Sequence, residues 1–388
     1  MTNKKTLNVG MLGYGFMGRT HTNAYCQVNH FFKTQFNPVL KVCYGRGTDM
    51  AKLKDFQSTW GYESIETDWR KIVERDDIDI VNVVSPNFLH HDMVIAAAEA
   101  GKIIICEKPL AMNVKEAEAM AAAVKKANVP TMVSFNYRRV PAIALFKQIV
   151  DEGRVGRPFH YRATYNQDYT ISKNVPSGGA LWRLSAKVAG SGVTGDLVAH
   201  SVDTAEWING PIERICAHTE IFIKERKNME TGQMEQITID DACMFLAVFK
   251  NGSIGTFEST RYARGRKNYS SMEINGEHGA CYFNLEDPEY LDFFRYADPE
   301  TGKKIEDHLT GWQKILVTNS EHPYMKNYWV PGLTIGYEHT FINGLADFFK
   351  SIEDGTKFSA NIEDGLRTQK VCDAILQSAK EKRWIEIN

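Results

Sequence analysis

Gly13-Tyr14-Gly15-Phe16-Met17-Gly18 follows directly on the apolar run Leu7–Leu12, and this stretch decides the fold of the first third of the chain. An apolar run that ends in a glycine turn is typical of a strand turning into a helix. Gly13 allows the tight turn, Gly15 lets backbone N–H groups approach a pyrophosphate, and Gly18 lets the helix pack closely on the strand. Because the helix N-terminus faces the phosphate charge, the stretch predicts a dinucleotide site.

The residues after this turn alternate apolar strands with helical stretches, as repeated βαβ units of a parallel sheet do. The predicted strands are Leu7–Leu12, Val39–Tyr44, Ile78–Val84, Ile103–Cys106 and Thr131–Phe135. The predicted helices are Met17–Phe32, Met50–Trp60, Asp92–Ala100 and Lys115–Ala127. The chain is therefore predicted to be α/β, with an N-terminal Rossmann domain, a doubly wound parallel sheet, over residues 1–133. Ligands bind such sheets at the carboxyl ends of the strands.

Beyond residue 133 the pattern changes to one bridging helix and then mostly strands. The predicted strands are Phe159–Asn166, Ile212–Ile223, Ala242–Phe249, Ser253–Ser259, Met272–Asn275 and Ala280–Asn284. Asn251-Gly252 between two apolar runs predicts a hairpin. Residues 134–388 are therefore expected to form an α+β substrate-binding and oligomerisation domain on a large, mainly antiparallel open sheet. Helices would cover one face of that sheet, and another subunit of a homo-oligomer would cover the other.

The end of the chain predicts two more helices, near Thr334–Ile352 and Ile362–Ala379. Apolar residues recur at helical spacing in the first of them, which favours a role in a hydrophobic core. These residues are Tyr337, Phe341, Leu345 and Phe348.

Composition excludes several classes of partner. The chain has 388 residues, too many for one compact core, and its 46 Lys and Arg nearly balance its 48 Asp and Glu. This balance favours neither nucleic acid nor an anionic membrane as a partner. No segment approaches the roughly 18 unbroken apolar residues of a membrane helix, and a signal peptide is not expected. Seven cysteines without CxxC pairs indicate reduced thiols, so we expect a cytoplasmic protein.

Three further motifs carry a resemblance to a known family. They are Ser85-Pro86-Asn87 followed by His90, Glu107-Lys108-Pro109, and the glycine-rich stretch from Gly190 to Asp196 followed by His200. With the glycine turn, their order and spacing resemble the glucose-fructose oxidoreductase, inositol dehydrogenase and rhizopine-catabolism (Gfo/Idh/MocA) oxidoreductases over nearly the whole chain. The stretches Phe135–Pro141 and Trp182–Gly192 are similar to members that oxidise sugars or glycosides.

The resemblance implies a cofactor, a substrate class and their contacts. The cofactor would be NAD or NADP, held by Gly13, Gly15, Phe16, Met17, Gly18, Arg46, Ser85, Pro86, Asn87, His90, Glu107, Lys108 and Asn136. The substrate would be a sugar, glycoside or inositol, with contacts from Lys108, Arg138, Gln167, Asp168, Trp182, Arg183, Asp196 and His200. Lys108, Asp196 and His200 would be the catalytic residues.

Lys108 suits the chemistry of such a reaction. Oxidation of a secondary alcohol needs a base for the hydroxyl proton while a hydride leaves carbon for the nicotinamide. A positive nicotinamide ring and partial desolvation would help Lys108 release its own proton. The alternative is a solvated surface lysine. The Lys108-Pro109 bond is a candidate for the cis form.

Asp196 and His200 are four residues apart, and we expect them on one face of a helix entered through Gly195. His200 would hold the substrate hydroxyl or relay its proton, and Asp196 would orient a hydroxyl or the imidazole. The alternatives are a helix-end carboxylate and a core histidine. Asp196 and His200 could also bind a metal, but no third metal ligand lies at a spacing typical of a metal site, so no metal is predicted.

Two roles are possible for each of several other residues. Arg138 contacts substrate or pairs with an acidic side chain. Three residues at the end of a predicted strand either line a sugar pocket or form a polar loop: Gln167, Asp168 and Tyr169. Trp182 and Arg183 either cover the sugar or the nicotinamide or pack in a core. The basic stretch Arg261–Lys267 is expected to be a solvated loop, with an acidic partner as the alternative.

The second strand departs from the NAD pattern. A ribose-binding Asp or Glu is expected at its end, but Val42–Gly47 contains none. Arg46 there favours a 2′-phosphate and hence NADP, or it stacks on the adenine of either nucleotide. The sequence leaves this choice open.

The sequence thus predicts an NAD(P)-dependent dehydrogenase acting on a ring hydroxyl. One alternative is a glycoside-processing enzyme that keeps NAD bound and oxidises the sugar only transiently. The other is a nucleotide-binding regulatory protein without catalysis.

Overall fold

The protein is described as a computed structural model, which covers residues 4–171, 184–228, 232–305 and 308–387. The strands, in chain order, are β1 (Lys5–Leu12), β2 (Phe36–Tyr44), β3 (Ser64–Glu66), β4 (Ile80–Val83), β5 (Ile103–Cys106), β6 (Thr131–Val133), β7 (Pro158–Asn166), β8 (Ile212–Glu220), β9 (Glu225–Lys227), β10 (Met234–Gln236), β11 (Ala242–Phe249), β12 (Ile254–Thr260), β13 (Tyr269–Gly276), β14 (Gly279–Asn284), β15 (Tyr290–Arg295), β16 (Trp312–Leu316) and β17 (Ile385–Glu386).

The α-helices, in chain order, are α1 (Phe16–Phe31), α2 (Met50–Trp60), α3 (Trp69–Val73), α4 (His90–Glu99), α5 (Val114–Ala127), α6 (Pro141–Asp151), α7 (Ala186–Ala189), α8 (Ala199–Asn209), α9 (Tyr337–Asp354) and α10 (Ile362–Glu381). Short 3₁₀ turns cover Asn87–Leu89, Asn136–Arg139 and Met325–Asn327, and a π-helical turn covers Thr194–Val198.

Two compact units divide the chain. The first comprises the residues up to Asn136 together with Gly336–Gln369, and the second comprises Tyr137–Ile335 and the residues from Lys370 onward. This division differs from the linear one expected at residue 133, because a C-terminal segment joins the first unit.

The first unit contains the predicted doubly wound sheet. All of its strands pair in parallel, in the order β3-β2-β1-β4-β5-β6. β4 is buried along its whole length, as expected of a central strand with helices on both faces. The strand order reverses between β1 and β4, so the carboxyl ends of these two strands flank the crevice where such sheets bind ligands.

Helix α9 explains why the C-terminal segment belongs to the first unit. Its apolar face lies in the same hydrophobic core as β1 and α1, with Phe341, Leu345 and Phe348 buried. The ring of Phe349 packs edge-on against Phe36 at 5.4 Å. Tyr337, expected in the core with them, lies instead at the start of the helix and is partly exposed.

The second unit is built on a nine-stranded sheet in the order β16-β15-β14-β13-β7-β12-β11-β8-β17. Adjacent strands pair antiparallel except β7 and β12, which are parallel. The sheet is therefore mainly antiparallel, as predicted, and the expected hairpin at Asn251-Gly252 joins β11 to β12. The strands that the sequence analysis missed here are β9, β10, β15, β16 and β17.

Helices cover one face of this sheet. Residues of α6, α8 and α10 share a hydrophobic core with the inward side chains of β7, β11, β12 and β15, among them Tyr161, Phe245 and Phe257. On the opposite side of the β11–β12 hairpin, Met244, Leu246 and Ile254 are each about half exposed. Among the described residues, no helix has the length and apolar character needed to cross a membrane.

Candidate active site

The glycine turn of the first unit has the geometry expected for pyrophosphate binding. Gly13 has φ +134°, and a Cβ there would lie 2.9 Å from the Val84 carbonyl oxygen. A Cβ on Gly18 would lie 2.7 Å from the Gly13 oxygen, whereas one on Gly15 would meet nothing within 4 Å. The first turn of α1 carries no acidic residue. The N-terminus of α1 therefore presents open space and no opposing charge, and it fits a phosphate group.

The end of β2 offers no carboxylate to a ribose. Arg46 follows β2 and is exposed. The nearest acidic residues on β3 and after it are engaged elsewhere, because Glu66 accepts the backbone N–H groups of Thr67 and Asp68, and Asp68 accepts that of Arg70 at 3.1 Å. These bonds begin α3.

The residues after β4 form a turn that is tied to the Lys108 loop. Ser85 and Asn87 are buried, and Pro86 precedes the 3₁₀ turn that leads into α4. His90 is fully buried, with Nε2 2.9 Å from the Ser85 carbonyl oxygen and Nδ1 3.1 Å from that of Pro109. His90 thus links the carboxyl ends of β4 and β5, which is a different task from the expected nucleotide contact. Burial lowers the pKa of this imidazole.

Glu107 and Lys108 lie at the carboxyl end of β5. The Lys108-Pro109 bond is cis, as the sequence suggested. Glu107 is buried and its Oε1 lies 2.7 Å from Nε2 of His21, a residue that the sequence analysis did not select. The Glu107 carboxylate also accepts the backbone N–H of Lys108 at 3.2 Å. The polar bonds of Glu107 are therefore inside the first unit.

Asn136, Phe16 and Met17 complete the expected cofactor contacts of the first unit. Asn136 is buried and donates its side-chain amide to Thr340 Oγ1 at 3.0 Å. Phe16 is exposed beside the glycine turn and stacks on Tyr337, with ring centroids 6.0 Å apart. Met17 packs against the core. Of these three, only Phe16 presents most of its side chain to solvent.

In the second unit, Asp196 lies in a small polar cluster. Its Oδ2 accepts Arg261 Nη2 at 2.9 Å and the Tyr169 hydroxyl at 3.1 Å. Tyr169 follows β7 and Arg261 follows β12, and because this pair is parallel, both side chains start from the same edge of the sheet. Burial opposes the charge of Arg261, but neighbouring Asp196 and Asp240 raise its pKa, so the guanidinium stays charged. The expectation of a solvated basic loop is therefore wrong for Arg261, which is 1% exposed.

The turn that leads to Asp196 is organised by Asp240. Asp240 Oδ1 accepts the Gly192 N–H at 2.8 Å, and Oδ2 accepts both the N–H and the hydroxyl of Thr194 at 2.7 Å. A Cβ on Gly192 would lie 1.9 Å from the Asp240 carbonyl oxygen, so this position requires glycine. Gly195, through which the helix was expected to be entered, lies instead inside the π-helical turn that begins at Thr194.

Asp196 lies within the π-helical turn, and His200 is near the start of α8. The expected regular helix is thus a wider turn here, a feature that recurs at functional sites. The His200 ring lies 4.6 Å from that of Tyr137 and 6.0 Å from that of Tyr165. The two tyrosine hydroxyls are 2.9 Å apart. Burial, with a smaller effect of Asp196, raises the pKa of Tyr137.

Arg138 and Asp168 are engaged in ion pairs. Arg138 is 2% exposed, and its Nε–H donates to Asp203 Oδ2 at 2.8 Å. Of the two roles that the sequence left open for Arg138, the structure therefore shows the pair with an acidic side chain. Asp168 accepts Lys267 Nζ at 2.9 Å and the Gly265 N–H at 3.2 Å. Both residues support the second unit from within.

The remaining expected substrate contacts have different outcomes. Gln167 donates to Asn268 Oδ1 at 2.9 Å, and the same oxygen accepts the Tyr165 hydroxyl at 2.8 Å. Trp182 and Arg183 lie outside the described residues.

Several residues that the sequence did not single out contact the predicted site residues of the two units. In the first unit they are His21 and Asn82, and in the second they are Tyr165, Asp240 and Asn268. A polar Asn82 inside a buried apolar strand was the one local signal, because a buried amide needs partners. Asp240 has no such signal, since an acidic residue before a strand is ordinary.

A parallel sheet with a glycine turn at its switch point, joined to a unit on a large open sheet, defines the class of two-domain, dinucleotide-dependent oxidoreductases. Residues 7–135 match the "Oxidoreductase family, NAD-binding Rossmann fold", and residues 143–282 match the "GFO/IDH/MocA C-terminal domain". The chain belongs to this family of NAD-binding oxidoreductases.

Three relatives support this assignment. The chain is 37% identical to levoglucosan dehydrogenase of Pseudarthrobacter phenanthrenivorans, over 99% of this chain and 98% of that protein. A crystal structure of an oxidoreductase domain protein from Kribbella flavida has TM-score 0.91 at 41% identity, over 99% of this chain and 100% of the other. Levoglucosan dehydrogenase in complex with NADH and levoglucosan has TM-score 0.92 at 38% identity, with the same coverage.

Proposed function

We propose that the protein oxidises a ring secondary alcohol of a sugar, with an anhydrosugar such as levoglucosan as the first candidate, and passes the hydride to NAD. The observation that carries this proposal is the pairing of an open glycine turn at the switch point with Lys108 at the end of β5 in the same unit. The similarity to levoglucosan dehydrogenase supports the substrate class.

The residues have separate tasks in this reaction. NAD supplies the hydride acceptor when it is bound. Gly15 and the N-terminus of α1 hold the pyrophosphate, and Lys108 Nζ takes the proton of the reacting hydroxyl as general base, then returns it in the reverse direction. Positioning a proton acceptor at the hydroxyl lowers the barrier because the alkoxide never forms free in water.

Asp196 and His200 are the proposed sugar-binding pair. Arg261 and Tyr169 fix the Asp196 carboxylate, so that its orientation is set before a hydroxyl arrives. The Tyr137 ring packs on His200 and limits its rotation. We propose that His200 hydrogen-bonds a hydroxyl group of the sugar.

The test compares Lys108→Met with the wild type and with Lys115→Met, a change of an exposed lysine on α5. Turnover is followed by nicotinamide absorbance across a panel of anhydrosugars, sugars, glycosides and inositols. Loss of general-base catalysis predicts a kcat about 10²- to 10⁴-fold lower for Lys108→Met, with nucleotide affinity within about threefold of wild type. A Lys108→Met enzyme that keeps full turnover on a confirmed substrate would overturn the assignment.

We propose NAD as the nucleotide, with Arg46 leaving NADP as a second candidate. The family match and the complex of the related enzyme with NADH favour NAD. Mass spectrometry of nucleotide released from the purified protein identifies it directly. The same preparation tests the glycoside-processing alternative, which predicts turnover without added nucleotide and without net NADH.

We also propose that the protein forms a homo-oligomer through the open face of the nine-stranded sheet. Met244, Leu246 and Ile254 form an exposed apolar surface on adjacent strands of that face. Light scattering after size exclusion should show a dimer or tetramer that Leu246→Glu dissociates and Leu309→Glu, at an exposed position outside the sheet, does not. A wild-type monomer would disprove this proposal. Seven free thiols support a cytoplasmic location.

A further inference from the structure

A chain of buried polar side chains in the first unit ends at the backbone of Lys108. The Tyr25 hydroxyl donates to Asn82 Oδ1 at 3.0 Å, and Nδ1 of His21 lies 3.0 Å from the same oxygen. Nε2 of His21 lies 2.7 Å from Glu107 Oε1, and Glu107 Oε2 accepts the Lys108 N–H. Tyr25, Asn82, His21 and Glu107 are each at most 5% exposed. Groups buried this deeply need hydrogen-bond partners inside the protein.

The orientation of the Asn82 amide shows whether Nδ1 of His21 carries a proton. Its Nδ2 lies 3.5 Å from the Ile105 carbonyl oxygen. The reversed amide would place two oxygens against each other there, and it would also remove the acceptor of the Tyr25 hydroxyl. Asn82 Oδ1 is therefore the acceptor that faces His21, and His21 Nδ1 carries a proton.

The short contact between His21 and Glu107 shows that a second proton lies between these two side chains. With Nδ1 protonated, a neutral His21 presents a lone pair at Nε2. A lone pair 2.7 Å from an ionised carboxylate oxygen would be repulsive, so one proton lies between Nε2 and Oε1. Whichever atom holds it, the His21–Glu107 pair has no net charge.

We propose that His21 and Glu107 share this proton, and that His21 acts as a positioning residue that neutralises the carboxylate next to Lys108. The inference rests on the proposed role of Lys108 as general base. An ionised, unpartnered carboxylate beside Lys108 would favour the ammonium form of that lysine, which cannot accept a proton. The pairing with His21 keeps the Glu107 carboxylate available to hold the Lys108 N–H without placing a net negative charge at the loop.

Several titratable groups surround this pair. Tyr25 on α1 reaches it through Asn82, and Ser134 Oγ lies 3.5 Å from His21 Nε2. Cys106 on β5 and His90 on α4 both interact electrostatically with Glu107. Burial raises the pKa values of Tyr25 and Cys106 and lowers that of His90, so in each case burial opposes the charged form of the group.

The experiment compares pH profiles of kcat/KM for wild type, His21→Gln and the double variant His21→Gln/Glu107→Gln. In His21→Gln the carboxylate loses its proton partner, and its charge moves the acid limb of the profile to higher pH by about one unit. The double variant has no carboxylate to neutralise, so its acid limb returns to within a few tenths of a unit of wild type. His30→Gln, at an exposed position of the same helix, is the matched control and leaves the profile unchanged.

A His21→Gln profile that superposes on wild type overturns the proposal, and so does a double variant that keeps the shift of the single variant. A merely structural role for His21 predicts a double variant at least as impaired as the single one, since both substitutions disturb the same contact. Thermal unfolding of each variant confirms that the comparison is made on folded protein.

Nitrogen NMR of the wild-type protein with ring-labelled histidine tests the proton count without any turnover. The His21 signals, assigned by their loss in His21→Gln and by their shift in Glu107→Gln, should show a protonated Nδ1. A bare Nδ1 overturns the proposal. If no sugar is turned over by the wild type, the proposed function fails while this measurement still decides the proton count.

Discussion

The two glycine turns of this protein reach their shapes by different routes. The first, at Gly13 to Gly18, is held by its own strand and helix, since Gly18 packs on the Gly13 carbonyl and Gly13 on the end of the adjacent β4. The second, at Gly192, is held by Asp240 before β11 and Arg261 after β12. A turn made by local packing shows its pattern in the sequence, whereas a turn made by distant side chains does not.

This difference assigns distinct roles to glycines that look alike. Gly15 leaves space that a ligand can fill, because a Cβ there meets nothing within 4 Å. Gly192 leaves space that the Asp240 backbone already fills. Substitution at Gly15 should therefore affect binding, and substitution at Gly192 should affect folding.

Gly192→Ala is expected to have the largest effect. The new methyl group would overlap the Asp240 carbonyl oxygen, so the turn or the strand must move at a cost of about 3 kcal/mol or more. Calorimetry should show a lower unfolding temperature for the second unit, with turnover lost. Gly311→Ala, in the same unit with nothing within 4 Å of the new atom, is the control and should be neutral. A stable, active Gly192→Ala enzyme would show that the turn is more adaptable than its contacts indicate.

Asp240→Asn tests whether the second glycine turn depends on a side chain that is distant in sequence. The substitution leaves the shape of that side chain nearly unchanged. The carboxylate accepts three hydrogen bonds, and an amide nitrogen in place of either oxygen would face an N–H donor. The expected cost is about 2 kcal/mol of stability, with kcat reduced because Asp196 follows this turn. Asp287→Asn, which weakens an exposed ion pair with Lys314, should change neither quantity. Equal behaviour of the two variants would contradict the role given to Asp240.

Gly15→Ala tests whether the first glycine turn leaves space for a ligand. Stability should stay within about 0.5 kcal/mol of wild type, because the methyl group points into open space. The dissociation constant of NADH, measured by fluorescence titration, should rise at least about tenfold, or 1.4 kcal/mol, since the methyl group occupies the place of the pyrophosphate. Unchanged NADH affinity would mean that the nucleotide does not approach this glycine.

Arg46→Asp should have the smallest effect on the enzyme as a whole. The substitution removes a cation that can pair with a 2′-phosphate and supplies a carboxylate for the ribose hydroxyls. The KM for NADP should rise about tenfold or more, while the KM for NAD changes by less than about threefold. Steady-state kinetics with both nucleotides measures the ratio. If NADP use is unaffected, Arg46 lies outside the 2′-phosphate site.

The sequence predicted the first unit in more detail than the second. Its buried parallel strands are continuous apolar runs, and the expected strand at Ile103–Cys106 agrees with β5. The strand β3 was missed because three half-buried residues have no periodic pattern. The strand β15 was missed because apolar residues occupy both of its faces, β16 because it is largely exposed, and β17 because it has only two residues. The C-terminal segment was expected in the second unit, because helical spacing identifies a buried face without identifying its partner.

Sequence alone determined the parallel sheet, the glycine turn at its switch point, the position of Lys108 at a strand end and the open second sheet, because each depends on the order of residues near one another in the chain. Only the tertiary structure decided that His21 meets Glu107, that Arg261 is buried against Asp196, and that the Asp240 backbone leaves no room for a Cβ at Gly192. These contacts join residues from 65 to 86 positions apart, or 48 in the case of Asp240 and Gly192. Side-chain partners at such separations are set by strand order and register, which no local pattern encodes.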